Sequence, residues 1–129
     1  MGGRGDWSGI DAALRELAGA DTLAFGGVGF AGQVLPVTEA YRLVEQALPA
    51  RAEELRPRLM ELIENGSAAG RAYAVTLLDR FDPAAAGAAW RSLLDDRSEF
   101  TTFTGCVMGK TSLGDYAAER MRPGPPLRD

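Results

Sequence analysis

Apolar residues recur at helical spacing in one segment of this chain after another, and that rhythm limits the fold more than any motif does. Ile10, Ala13, Leu14, Leu17 and Ala18 stand at i, i+3, i+4, i+7 and i+8, which gathers them on one face of a helix. Ala40, Leu43, Val44, Ala47 and Leu48 repeat the spacing. So do Ala74, Leu77, Leu78 and Phe81, and Ala86, Ala89, Trp90, Leu93 and Leu94. Leu55, Leu59, Leu62 and Ile63 form a further stripe, and Leu113, Tyr116, Ala117 and Met121 the last. The pattern predicts an all-α fold of about six amphipathic helices in antiparallel pairs.

Helix starts and stops agree with the stripes. The first helix is expected over about 8–18, with Gly19 ending it. The second begins near Pro36–Thr38, where a proline loses no hydrogen bond, and ends at Pro49. The third runs from about Ala50 to Glu64; Pro57 kinks it or marks its true first turn, and Asn65-Gly66 stops it with left-handed glycine backbone. Ser67 caps a fourth helix reaching Phe81, and Asp82-Pro83 opens a fifth that Asp95-Asp96 ends. Asp82 reads as a cap, Asp95 and Asp96 as solvated. Ser112 caps the last helix.

Two segments escape the pattern. Asp21–Leu35 and Glu99–Thr111 read as irregular, Gly-rich loops able to form short strands, at Thr22–Phe25 and at the β-branched and aromatic run Phe100–Thr104. The expected organisation is a flexible N-terminus over 1–7, a single helical domain over 8–121 and a disordered Pro/Gly-rich tail over 122–129.

Two blocks of the chain look alike. Leu59 to Gly66 leads into Ala69 to Leu78, and Trp90 to Asp96 leads into Asp115 to Met121. Each is a helix ending in paired aliphatics, a polar turn, and a helix with Tyr-Ala near its start. With the Asp82-Pro83 junction and the small-residue helix Ala68 to Leu78, this resembles the HEAT/armadillo class of α-helical repeats over roughly 55–121. The resemblance implies HEAT-like stacking of antiparallel pairs, with the earlier helices serving as a third unit or cap. The longer turn of the second block departs from that class, and an irregular helical bundle is the alternative.

Both irregular segments nearly spell nucleotide-binding motifs. Gly27-Val28-Gly29-Phe30-Ala31-Gly32 fits G-x-G-x-x-G. Four residues intervene before the next helix, and no second strand ending in a ribose-binding acid follows, so the context of a dinucleotide site is missing. Gly105-Cys106-Val107-Met108-Gly109-Lys110-Thr111 has three residues between its glycines where a Walker A loop needs four. A looser anion site is the residual expectation there, with Lys110 near a helix start. Cys106 lacks any histidine to activate it, because the chain contains none. That absence also weakens transition-metal sites, and no spaced set of metal ligands appears.

The net charge of −4 argues against general nucleic-acid binding. Lys110 is the only lysine among otherwise Arg-based cations, a codon bias that suggests a bacterial source. The single cysteine excludes an intramolecular disulfide. Neither a secretory leader nor an apolar run of about 20 residues is apparent, so the cytoplasm is the expected compartment and no membrane is expected as a partner.

These observations lead to one principal expectation. The chain is a small protein–protein interaction module, of adaptor, accessory or toxin-neutralising type, that uses loops 21–35 and 99–111 to bind another protein. Its expected binding residues are Phe30, Phe100, Phe103, Cys106, Met108 and Lys110, with no cofactor, no metal and no assigned catalytic group. The aromatics among them either plug the core or expose an apolar surface. The alternative is a small-molecule or anion binder, or a small enzyme, with a pocket between the two Gly-rich loops.

Overall fold

Helix α3 (Ala68–Asp79) is the element around which the rest is arranged, and its composition explains why. Ala69, Gly70, Ala72, Tyr73, Ala74, Val75, Leu77 and Leu78 are all buried, so the helix is enclosed on nearly every side rather than along one stripe. Its small residues allow neighbours close. A Cβ at Gly70 would overlap the carbonyl oxygen of Leu17, so the end of α1 passes directly over this glycine. The computed structural model describes residues 7–27, 34–104 and 107–122.

In chain order the elements are α1 (Trp7–Ala18), β1 (Thr22–Leu23), α2 (Pro36–Asn65), α3, α4 (Pro83–Ser92), β2 (Glu99–Thr104), β3 (Val107–Ser112) and α5 (Leu113–Met121). Helix α3 packs on α1, α2, α4 and α5, and on β1 and β2. The fold is mostly helical, as the apolar spacing predicts, with a small three-stranded sheet beside the helices.

Five helices stand among the described residues where about six were expected. The difference lies at Pro49. The expected second and third helices are one element, α2, bent where Arg51 leaves helical geometry at φ −128° and ψ 26°. Pro49 removes one backbone hydrogen bond, but the chain resumes its helix at once, so the proline bends instead of ending it. The buried stripe of the first segment is also shifted. Tyr41 is buried and Leu43 is 41% exposed, because Tyr41 turns inward to meet the rings of Phe25 and Tyr73.

The caps fall where the sequence puts them. Ser67 accepts from the N–H of Gly70, Asp82 from that of Ala85, and Ser112 from that of Asp115, each at 3.1 Å. Ser67 also donates to the Ala20 carbonyl, which ties the α2–α3 turn to the chain leaving α1. Two details differ from expectation. Gly66 has φ −77° rather than left-handed backbone; a side chain there would instead crowd the Leu62 carbonyl oxygen, at 2.7 Å. Asp96 is not a solvated carboxylate: it accepts from the Ser98 N–H and from Arg71, both at 2.8 Å.

The segment 99–111 is not an irregular loop. It supplies β2 and most of β3, paired antiparallel from Glu99↔Ser112 to Thr104↔Val107. The short β1 pairs parallel with the start of β2, Thr22↔Thr101 and Leu23↔Thr102, giving the order β1-β2-β3. The β-branched and aromatic residues of β2, Phe100-Thr101-Thr102-Phe103-Thr104, suit a strand. No helix among the described residues is long and apolar enough to cross a membrane.

Candidate functional site

The β2–β3 hairpin carries four of the six residues that sequence reasoning selects. Side chains alternate between faces along each strand, and the register therefore sorts them. Phe103, Met108 and Lys110 share one face, with Phe103 directly opposite Met108 and Lys110 opposite Thr101. Phe100 lies on the other face, at 3% exposure, packed edge-on against Tyr116 with ring centroids 5.6 Å apart. Of the two roles open to these aromatics, Phe100 takes the first and plugs the core. Phe30 and Cys106 lie outside the described residues, as does most of the Gly27–Gly32 motif.

Beyond Phe100 the hairpin runs past the body. Leu23 is the last residue of β1 and pairs with Thr102, so among the described residues no strand pairs with Phe103 and Thr104 on that side. Val107, Met108, Gly109 and Lys110 are all exposed although they belong to both faces of β3. Val107 is 69% and Met108 65% exposed, against 39–41% for the other exposed large apolar residues described. Two such neighbours on one strand end are not required by the core.

Among the described residues the outer edge of β3 is also unpaired. Thr101 donates its N–H to the Asp21 carbonyl at 3.1 Å, and Leu113 donates to the Ser98 carbonyl at 2.7 Å. With the observed register, these bonds direct the peptide groups of Met108 and Lys110 away from β2, toward the free edge. An edge of this kind is a template for another chain, and a lysine on it restrains uncontrolled pairing. Lys110 is thus a strand residue, and the helix begins only at Leu113. This corrects the expectation that Lys110 stands beside N–H groups at a helix start: the near-Walker segment is a hairpin, and the lysine is mid-strand.

The other irregular segment begins at a well-built anchor. The Tyr73 hydroxyl accepts from the Ala24 N–H and donates to the Ala24 carbonyl, both at 2.8 Å. Thr38 donates its hydroxyl to the same carbonyl at 2.7 Å. Ala24 is thereby held on both backbone groups just before the glycines. Its neighbour Phe25 is turned outward, 40% exposed, with its ring edge-on to Tyr41 at 4.9 Å and to Tyr73 at 5.4 Å.

Phe25 borders a cleft of about 320 Å³ that sequence reasoning missed. Tyr41, Arg42, Glu45, Thr76 and Arg120 complete its lining. Burial, and then the charge of Glu45, push the Tyr41 hydroxyl up to about 12, so it stays protonated at neutral pH. Glu45 is itself paired with Arg80 at 2.8 Å. Arg42 and Arg120 come from helices far apart in the chain, so no spacing in the sequence could join them; only the lone aromatic before the glycines hinted that the segment matters.

Other cavities offer less chemistry. The largest described, about 630 Å³, lies between the start of α1 and the first segment of α2, along Gly9, Ile10, Leu43, Ala47 and Ala50. None of the four cavities described is lined by Phe103, Met108 or Lys110. Among the described residues no three His, Cys, Asp or Glu side chains are grouped to hold a metal ion. No protein-family model, curated protein or solved structure matches the chain.

Proposed function

We propose that this protein is a small interaction module that binds another protein through the β2–β3 hairpin, in the manner of an adaptor, accessory or toxin-neutralising protein of a bacterial cytoplasm. In this reading the helices form a HEAT-like frame of stacked pairs, α2 with α3 and α4 with α5, and the hairpin projects from it. The observation that carries the reading is the adjacency of Val107 and Met108, more than half exposed on an open strand edge. An extended partner segment added to that edge gains main-chain hydrogen bonds, and Phe103 and Met108 on one face supply side-chain contact.

A photocrosslinking residue at position 108, in extracts of the source organism, tests this. The expected result is one discrete adduct that is absent when the crosslinker sits at Leu94, an exposed apolar position away from the hairpin. The adduct disappears in a variant carrying Val107→Asp together with an unchanged crosslinker at 108, while the melting temperature stays within a few degrees, as surface changes allow. Equal labelling from positions 94 and 108 refutes the reading.

A further inference from the structure

The cleft beside Phe25 concentrates positive charge in a chain whose net charge is −4. The charged groups that face it are Arg42, Glu45 and Arg120, with Arg80 immediately behind Glu45. Glu45 is already paired with Arg80 at 2.8 Å. It therefore does not neutralise the other two cations. Among the described residues the Arg42 side chain has one hydrogen bond, to the Phe25 carbonyl oxygen at a long 3.4 Å. The Arg120 side chain makes no hydrogen bond or ion pair with any described residue. Thr76 donates its hydroxyl to the Ala72 carbonyl and so offers the cleft only lone pairs.

Two arginines thus line a recess that Phe25 and Tyr41 also line. Guanidinium forks suit a carboxylate or phosphate, which they can grip through two parallel hydrogen bonds. The exposed Phe25 ring suits the flat apolar part of the same molecule. At about 320 Å³ the cleft lies at the small end of the range of about 300–1,000 Å³ found for ligand pockets. From this juxtaposition we infer that the cleft binds a small organic anion, an aromatic or similarly flat body bearing a carboxylate or phosphate, with Arg42 and Arg120 holding the anion and Phe25 the ring. The site shares no residue with the hairpin and does not depend on the role proposed for it.

Amide and arginine side-chain NMR titrations of the ¹⁵N-labelled protein with benzoate, phenyl phosphate and neutral benzamide test the inference. Benzoate and phenyl phosphate are expected to shift the signals of Phe25, Arg42, Thr76 and Arg120 and to saturate by about 10 mM. Arg42→Gln and Arg120→Gln each weaken that binding about tenfold, the loss of one charge-assisted contact, whereas Arg91→Gln, an exposed arginine elsewhere, changes it less than about twofold. Val107→Asp leaves the titration intact, which separates failure here from failure of the hairpin reading. Benzamide binding as tightly as benzoate, or a double Arg42→Gln, Arg120→Gln variant that titrates like the unmodified protein, overturns the inference.

Discussion

The helical body and the β2–β3 hairpin use the same kinds of apolar residue to opposite ends. In the body, Leu55, Leu59, Leu77 and Leu78 are fully enclosed, and among the described residues no buried side-chain polar atom lacks a hydrogen-bond partner. In the hairpin, Val107 and Met108 face solvent at the end of an edge strand. The body is over-determined, with caps, ion pairs and ring contacts tying the same elements together repeatedly. The outer half of the hairpin is held mainly by pairing of its own two strands. A part whose apolar residues contribute little to stability, on a frame that does not need them, is where binding is best sought.

The sharpest contrast comes from truncating an apolar side chain in each region. Leu59→Ala should cost about 3 kcal/mol, through lost burial and the cavity left behind, and Met108→Ala less than about 0.5 kcal/mol, as a surface change. Urea unfolding of both variants measures the two values, and a comparable loss from Met108→Ala would erase the distinction between body and hairpin. A step smaller, Tyr73→Phe should cost about 2 kcal/mol, because the buried Ala24 N–H loses its acceptor. Thr38 still serves the Ala24 carbonyl. The same variant should speed amide exchange at Ala24 and Phe25 while leaving the β3 amides unchanged.

Acid probes the ties within the body. The Arg56 guanidinium, 2.7 Å away, and then the Ala85 N–H hold the Asp82 carboxyl below its usual range. Asp96 is held down first by Ser98, through side-chain and backbone hydrogen bonds, and less by Arg71. A carboxylate lowered by folding adds stability that is present above its ordinary value and is lost as pH falls through its folded value. The melting temperature should therefore not change on account of these two groups between pH 7 and 5, and should drop below about pH 4. Asp96→Asn flattens that drop, and an acid limb equally steep in the variant would show that Asp96 is not a tie. Met108→Ala leaves the acid limb as it is, since the hairpin tip carries no such carboxylate.

Much of this arrangement was legible in the residues, and the failures have physical causes. Ser67, Asp82 and Ser112 were readable as caps because capping is a matter of three or four neighbouring residues. The helical stripes were readable because a helix repeats its faces locally. Pro49 reads as a stop, and helical geometry does break two residues on, at Arg51, but the helix resumes at once; whether a proline ends or only bends a helix depends on whether the next turn has something to pack against, and here Leu55 and Leu59 do. The sequence shows the hairpin only as an extended run at Phe100–Thr104, because β3, with Gly109 and Lys110 at its centre, has neither the alternation nor the β-branched density of a half-buried strand. Phe100, Phe103 and Met108 stand out in the sequence for lying outside the stripes and Lys110 for its near-Walker setting; the register gathers Phe103, Met108 and Lys110 on one face. Phe100 faces the core, since strand neighbours at odd separation point opposite ways.

The amino-acid order by itself determined that this chain would be mostly helical, where most of its helices would begin, and that two glycine-bearing segments would stand apart from them. Those properties follow from side-chain periodicity and capping, which act over a few residues. Only the tertiary structure decided that Val107 and Met108 would be left exposed on an edge strand, and that Arg42 and Arg120 would line one cleft with Phe25. Both outcomes depend on how helices from opposite ends of the chain pack about α3, and local spacing carries no record of contacts made over such separations.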